Sequence, residues 1–334
     1  MAYAISSAFK DFMKDQVNLD SEASKDGKRS RNWLVDNQIL NFPDKYDDFP
    51  ILQQSPKMWF GSFSRKTKIR ELDDIDMMIL MHAQGSSYSE YGDTIMLTAG
   101  ADSKFNNFLD DTKLWINSRR VVNRFVSALQ NVPQYSSAVS KRQGEAATLK
   151  LSSYTWNFDI VPAFSTVPDD QGNKFFLIPD GNGHWKKTDP RIDKDRTTSI
   201  NQKHGGKVLN IIRLIKYWKK KRGVPAIGSY LLETIMLNRY DSLFEDGMSE
   251  YIPHEFPHAL RSLADAILGP VYDQKNFQGD INGLEWGDQW KIRELALEDA
   301  VKAEQASSQE FLDPEKAGEI WKEIFGKNFP GADD

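Results

Sequence analysis

Two carboxylates two residues apart open the functional reading of this chain. They are Asp74 and Asp76, in the run Leu72-Asp73-Asp74-Ile75-Asp76-Met77-Met78-Ile79-Leu80. The run is apolar, bounded by charge, and predicts a strand. Residues i and i+2 of a strand share a face, so Asp74 and Asp76 point the same way. Neighbouring carboxylates repel each other and are costly to bury unless a cation lies between them. Paired hard oxygen ligands suit Mg²⁺, which is usually held by one or two carboxylates plus substrate phosphates. Just upstream lies Gly61-Ser62-Phe63-Ser64-Arg65-Lys66-Thr67. Gly61 permits close backbone approach. Ser62 offers a hydroxyl and an N-cap for a helical segment expected to run to Leu72. Amides at such a turn bind anions. A phosphate-binding turn before a two-carboxylate strand reads as metal-assisted chemistry on the phosphates of a nucleotide. Each half alone is commonplace, since Gly-Ser turns and Asp-x-Asp loops are frequent. Their spacing and the apolar strand give the joint reading its weight.

Gly61-Ser62 followed by Asp74-Ile75-Asp76 resembles the signature of the polymerase β-type nucleotidyltransferase superfamily. The resemblance implies a third carboxylate on a later strand. Tyr154-Thr155-Trp156-Asn157-Phe158-Asp159-Ile160-Val161-Pro162 is β-rich, and Asp159 interrupts its apolar sequence. Asp159 is therefore the expected third ligand, although a lone Asp in such a run is also a common strand-end residue.

Composition sets the outer bounds. The chain has 334 residues, 40% hydrophobic and 27% charged, as expected of a soluble globular protein with one large or two modest domains. A formal charge of −5 argues against avid non-specific nucleic-acid binding. There is no cysteine, which excludes disulfides, zinc–cysteine sites and thiol catalysis. Residues Met1 to Lys14 carry Lys10, Asp11 and Lys14 and lack the apolar core of a signal peptide. No run reaches transmembrane length. The expectation is a cytoplasmic protein without a membrane partner.

The elements that must position these residues follow from periodicity. Ile5, Phe9, Phe12, Met13 and Val17 have helical spacing, and a weaker helix is expected over Ser24 to Ile39. Ile51 to Phe60 reads as extended, whereas Ser89 to Asp110 carries no clear pattern. Phe108 to Asn131 reads as a helix with Leu114, Val121, Val122, Phe125, Val126 and Leu129 on its apolar stripe. Strands are expected at Ala147–Leu151, Tyr154–Val161 and Phe175–Ile178. The second half turns helical, around Val208–Trp218, from Ser229, at Trp290–Gln305 and at Pro314–Phe325, with Pro253, Pro257 and Pro270 breaking the stretch between. Gly331-Ala332-Asp333-Asp334 looks like a frayed acidic tail. The fold class is α+β: a polymerase β-like nucleotidyltransferase lobe with a mixed β-sheet, plus a helical C-terminal lobe. The expected divisions are an N-terminal helical segment (1–40) packing on both lobes, a catalytic lobe (41–190), and a helical lobe (191–330) completing a nucleotide cleft.

Three further segments narrow the resemblance. They are Gly183-His184-Trp185-Lys186-Lys187-Thr188-Asp189-Pro190, Arg213-Leu214-Ile215-Lys216-Tyr217-Trp218-Lys219, and Gly228-Ser229-Tyr230-Leu231-Leu232-Glu233. In order and spacing they resemble the bacterial cyclic GMP–AMP synthase-like enzymes, the CD-NTases, from about Trp59 to Tyr240. The resemblance implies that Lys216 and Ser229 contact the donor triphosphate and that Tyr230 stacks on a base. An ammonium is a compact phosphate partner and an aromatic face tolerates any base. The plainer readings are a solvated lysine on an amphipathic helix and a core aromatic. Thr188 and Asp189 either read the nucleotide or cap the helix beyond Pro190. The basic run Lys203, Lys207, Arg213, Lys216, Lys219, Lys220, Lys221, Arg222 could contact nucleic acid, but such runs are more often a solvated face with one phosphate-facing lysine. His254-Glu255-Phe256-Pro257-His258 matches the zinc-protease pattern H-E-x-x-H, yet Pro257 argues against the regular helix that chemistry needs.

The resemblance implies a synthase of cyclic di- or trinucleotide second messengers in bacterial antiphage (CBASS) signalling. It would use NTPs, at least one of them a purine nucleotide, and two Mg²⁺ ions (or Mn²⁺) held by Asp74, Asp76 and Asp159, with Gly61 and Ser62 at the triphosphate. Its product would activate a separate effector, and an accessory protein would regulate the enzyme at its C-terminal tail. The competing readings are a transferase making linear oligoadenylate or extending RNA ends, and a non-catalytic nucleotide-binding scaffold.

Overall fold

The computed structural model describes residues 5–225 and 227–330. The tail residues Gly331 to Asp334 lie outside them. In chain order the elements are α1 (Ile5–Phe12), continued by a π-helical turn (Met13–Val17), then α2 (Ser21–Asn37), α3 (Phe42–Lys45), β1 (Leu52–Trp59) and α4 (Gly61–Ser64). They continue with β2 (Asp74–Met81), β3 (Ser87–Tyr91), β4 (Thr94–Thr98), α5 (Ser118–Gln130), β5 (Val139–Gln143), β6 (Ala146–Lys150), β7 (Asn157–Ser165), β8 (Phe176–Pro179) and β9 (Trp185–Thr188). The remainder is helical: α6 (Pro190–Lys203), α7 (Val208–Arg222), α8 (Ser229–Ser242), α9 (Ile252–Ala266), α10 (Trp286–Gln309) and α11 (Pro314–Phe325).

These elements form two compact units. One comprises Ser21–Ser64 and Glu71–Arg191, and the other Met1–Asp20, Arg65–Arg70 and Ile192–Asp334. Residues 1–40 are thus divided between them, α1 with the helices and α2 with the sheet. The short segment Arg65–Arg70 clusters with the helices, although it sits in the chain between α4 and β2.

The sheet unit carries a mixed sheet of nine strands in the order β1-β2-β7-β8-β9-β4-β3, with the β5–β6 hairpin joined through β6 to β7. Among the described residues, β2 and β7 are the parallel pair and the other pairings are antiparallel. Strand periodicity gives β2 and β7 two distinct faces. On one, Gly27 of α2 packs so closely that an added Cβ would lie 2.8 Å from Leu72 Cδ2 and 3.1 Å from Ile75 Cδ1. Phe164 of β7 lies on this face too, against Phe105 and Trp185 with ring centroids 4.9 and 5.1 Å away.

The helical unit is built around the aromatic rings of Phe9, Phe12, Tyr217, Phe256, Trp321, Phe325 and Phe329, all buried in one cluster. Phe9 meets Trp321 edge-on at 4.8 Å, and Phe12 meets Tyr217 at 5.1 Å. Buried aromatic pairs at these separations add roughly 0.5–1.5 kcal/mol each beyond area burial.

Several elements differ from the periodicity reading. The helix expected from Phe108 begins only at Ser118, because the Asn117 side chain accepts the Arg120 amide and caps it. Upstream, Asp110 takes the amides of Leu114 and Trp115 and the Thr112 hydroxyl, making a turn. Leu114, expected on the apolar stripe, is 59% exposed. The unassigned stretch from Ser89 contains the β3–β4 hairpin, whose β3 is solvent-exposed on both faces and so shows no alternation. The helix expected from Ser62 to Leu72 ends at Ser64, and Lys66 turns the chain with φ +63°. Pro257 does not break its stretch: α9 runs through it. The carbonyl of Pro253, which loses its helical donor at Pro257, accepts the Ser307 hydroxyl from α10 at 3.1 Å instead.

Candidate active site

The acidic cluster is assembled by strand register. Asp76 and Asp159 are direct partners on the parallel strands β2 and β7, and Asp74 pairs with Asn157. Partners in register share a face, and so do residues two apart, so Asp74, Asp76 and Asp159 project on the same side of the sheet. All three are half-buried, in strands whose other residues are mostly buried. Further along the same face lie Met78, Leu80, Ala163 and Phe176, with Met58, Phe60 and Ile178 packed against them. The carboxylates therefore stand at the rim of an apolar floor, where electrostatic interactions are stronger than in open water.

Two neighbours tune this cluster. The Thr148 hydroxyl donates to Asp159 Oδ1 at 2.6 Å, fixing one carboxylate oxygen from the adjacent strand β6. Gly61 has φ +72°, and a Cβ built on it would fall 1.8 Å from Asp76 Oδ2. Glycine is thus required twice, by backbone conformation and by space. The α4 turn behind it is tied down by Ser64 Oγ, which donates to the Trp59 carbonyl at 3.1 Å. Ser62 is the second residue of this single turn. Among the described residues no three carboxylate or imidazole groups already converge as a metal cage. The donor chemistry nevertheless fits a hard divalent cation: three acceptor-only carboxylates on one face, against a glycine whose missing side chain leaves room at Asp76.

Thr188 pairs with Phe176 of the apolar floor and so belongs to the carboxylate face. Asp189 is buried and caps α6. Its Oδ1 accepts the Arg191 amide at 3.0 Å, and both its oxygens meet the Arg191 guanidinium.

The other expected residues lie in the helical unit. Lys216 is not a solvated lysine of an amphipathic helix: its side chain is only 7% exposed. Its ammonium donates to the Thr67 carbonyl at 3.1 Å and forms an ion pair with Glu233 of α8. Glu233 in turn accepts Arg65 Nε at 2.9 Å through its second oxygen. Burial pushes the Lys216 ammonium below its ordinary range, with Glu233 opposing the shift. Burial also disfavours the Glu233 carboxylate, but Arg65 and Lys216 outweigh it and hold that group below the usual range. Ser229 is the exposed first residue of α8.

Tyr230 lies in a second polar cluster. Its hydroxyl sits 3.0 Å from Asp193 Oδ1 and 2.8 Å from Asp273 Oδ1, and it also meets Lys275. The Lys275 ammonium lies 4.1 Å from the ring centroid. Burial, followed by the two carboxylates, pushes the Tyr230 phenol well above its usual range, so it stays a neutral donor. Glu233, Arg65, Thr148 and the Asp193–Asp273–Lys275 trio were not singled out by sequence reasoning. Glu233 carried a signal, an acid inside the apolar run Leu231-Leu232-Glu233-Thr234-Ile235.

The basic run is largely committed within the helical unit. Lys207 pairs with Glu250, Arg213 donates to the Lys66 carbonyl, Lys219 to the Ile227 carbonyl, and Arg222 pairs with Glu298 and Asp299. In the H-E-x-x-H segment, His254 and His258 are exposed while Glu255 is buried. The Glu255 carboxylate accepts Arg239, the Tyr240 hydroxyl and the Ser249 amide, which leaves it no role as a general base between the histidines. No helix among the described residues is long and apolar enough to cross a membrane.

No protein-family model matches the chain. It is 41% identical to a probable cyclic nucleotide synthase of Bacillus cereus (strain VD146) over 338 residues, covering all of both chains. It is 22% identical to the cyclic AMP-AMP-AMP synthase of Escherichia coli (strain MS 115-1), covering 96% of each. Among solved structures, E. coli MS115-1 CdnC with ATP superposes with a TM-score of 0.69 at 18% identity, covering 98% of this chain and 99% of that one. E. coli DncV bound to 3′-deoxy GTP gives 0.63 at 15% identity, covering 95% and 94%. The fold is that of a polymerase β-like nucleotidyltransferase. More narrowly, the chain belongs to the CD-NTase family of cyclic nucleotide synthases, and it is an enzyme that makes a cyclic oligonucleotide.

Proposed function

We propose that this synthase joins NTPs, at least one a purine nucleotide, into a cyclic di- or trinucleotide that serves as a second messenger in antiphage (CBASS) signalling. Asp74, Asp76 and Asp159 would hold two Mg²⁺ ions, with Mn²⁺ as a substitute. When bound, such ions supply Lewis-acid stabilisation of the triphosphate and lower the pKa of the attacking hydroxyl. The observation that carries this reading is the register of Asp76 against Asp159, with Gly61 seated on the Asp76 carboxylate.

The chain's own residues divide the work. Thr148 keeps one Asp159 oxygen engaged, and the Asp159 carboxylate assists deprotonation of the acceptor ribose hydroxyl. Ser62, Lys216 and Ser229 hold the triphosphate in line, and Thr188 stands on the carboxylate face to meet the nucleotide. Tyr230 offers its ring to a base, while Lys275 and the two aspartates lock its orientation. In each turnover a ribose hydroxyl oxygen bonds to an α-phosphorus, the α–β anhydride breaks, and pyrophosphate leaves with the electron pair. The product carries the signal to a separate effector in the cytoplasm. An accessory protein would regulate the enzyme at its C-terminal tail; separately, E. coli MS115-1 CdnC, which shares this fold, has been solved in complex with HORMA-deltaN.

The test is direct. Purified enzyme is incubated with all four labelled NTPs and Mg²⁺ or Mn²⁺, treated with phosphatase, and its products separated beside an Asp76→Asn control. A small phosphatase-resistant product that disappears in the variant is expected, and omitting NTPs singly names its bases. Linear products extended only when RNA is added would sink the cyclic reading.

A further inference from the structure

Glu233 is deeply buried, with a side chain 2% exposed, and it is shared between two cations. Its partners come from different elements. Lys216 lies on α7, and Arg65, 11% exposed, opens the segment Arg65–Arg70. That segment has no regular secondary structure of its own and is held through its backbone. The Lys66 carbonyl accepts Arg213 at 3.1 Å, the Thr67 carbonyl accepts Lys216 at 3.1 Å, and the Arg70 amide donates to the Val17 carbonyl at 3.0 Å. Thr67 is fully buried. In the chain, this segment follows directly on the Gly61–Ser64 turn.

The charge balance gives Glu233 a specific task. The charged groups that face Lys216 are Glu233 from α8 and Arg65 and Lys68 from the segment, and both of those cations repel it. Within its own helix, Arg213 bonds Asn210 and the Lys66 carbonyl. Glu233 is therefore the counter-charge that allows a buried lysine to remain an ammonium. Without it, a buried Lys216 would face Arg65 and Lys68, and the lysine, unlike arginine, would lose its proton.

We propose that Glu233 is a positioning residue for the triphosphate: its carboxylate keeps Lys216 charged and in place, and through Arg65 it anchors the segment that leaves the phosphate turn. This rests on the reading of Lys216 as a triphosphate ligand. The residue never touches the nucleotide and acts only through its two partners.

The experiment measures kcat and KM for ATP across pH in four enzymes: wild type, Glu233→Gln, Lys216→Ala, and Glu233→Gln with Lys216→Arg. In Glu233→Gln the ATP KM rises about tenfold at mildly alkaline pH and less at acid pH, with kcat changed far less. Its alkaline limb of kcat/KM moves down by about one pH unit, the equivalent of that tenfold change. Restoring a permanent charge with Lys216→Arg removes the new pH dependence, which a merely structural role for Glu233 would not do. If Glu233→Gln keeps the wild-type KM and pH profile while Lys216→Ala raises KM, the proposal is overturned and the lysine reading stands. If Lys216→Ala leaves KM unchanged, the lysine reading itself fails and the proposal goes with it. Should the glutamine variant not fold, titration of the Lys216 Nζ resonance in the wild-type enzyme decides. A charged ammonium at pH about 7.5 supports the proposal, and a neutral amine there, far below the ordinary lysine range, overturns it.

Discussion

The carboxylates of the sheet unit and the carboxylate of the helical unit are placed by opposite means. Asp74, Asp76 and Asp159 are half-buried and stand where backbone register puts them, side by side on parallel strands. Glu233 is almost fully buried and stands where two cations hold it. The first arrangement gathers like charges on one face, a repulsion that a bound cation would relieve. The second is already neutralised from within, which favours rigidity and fixes the partners in space. A carboxylate's surroundings, more than its identity, decide whether it is offered to a ligand or spent on the fold.

The contrast is sharpest at Asp76. Asp76→Asn removes a charge from the proposed metal-binding group, and synthesis is expected to fall roughly a thousandfold while the melting temperature changes little. Product yield and a thermal melt on the same preparation check both halves. An unaltered rate would remove the acidic face from the chemistry.

Gly61→Ala follows in size. A methyl group 1.8 Å from Asp76 Oδ2 forces that carboxylate to move. Displacements of this order cost about a hundredfold in rate, read as a fall in kcat. The left-handed backbone adds about 1–2 kcal/mol of destabilisation, read by denaturant titration.

Thr148→Val tests the hydrogen bond to Asp159. A bond to a charged group contributes about 1.5–3 kcal/mol, so a rate loss of roughly tenfold or more is expected, with the KM for nucleotide little changed.

In the helical unit the comparison is read through acid stability. The Glu233 carboxylate has its folded pKa held below its unfolded value, so its contribution to stability is present above the unfolded carboxylate range and is lost as pH falls through the folded pKa. Denaturant melts of wild type and Glu233→Gln should therefore converge at low pH and separate as pH rises towards neutrality. Parallel curves would show that the ion pairs contribute nothing net.

The smallest effect is expected at Gly27. Gly27→Ala gains roughly 1 kcal/mol of helix propensity but meets Leu72 and Ile75, an overpacking cost of about 1–3 kcal/mol. A net loss of about 1 kcal/mol, with kcat unaltered, separates packing behind the sheet from chemistry on its other face.

Legibility divided along the same line. The period-two pattern of Asp74-Ile75-Asp76 and the lone polar residue in Tyr154–Pro162 are local signals, and β2 and β7 appear where they indicate. The β3–β4 hairpin was hidden because β3 is exposed on both faces and does not alternate. The helix expected from Phe108 was overextended because a capping asparagine and an Asp110 turn outrank hydrophobic spacing. Pro257 was read as a breaker, yet a hydroxyl from another helix satisfies the orphaned carbonyl. Lys216 had two local readings, solvated or phosphate-facing, and neither foresaw an ion pair with Glu233, seventeen residues along the chain.

By itself, the sequence determined many of the regular elements, the shared face of Asp74 and Asp76, and the close backbone approach that Gly61 allows. These follow from rise, pleat and steric allowance within a few residues. Only the tertiary structure decided that Asp159 stands opposite Asp76 and that Lys216 is buried between Thr67 and Glu233. Register and ion pairing join residues far apart in the chain, and their free energy depends on burial that no local window contains.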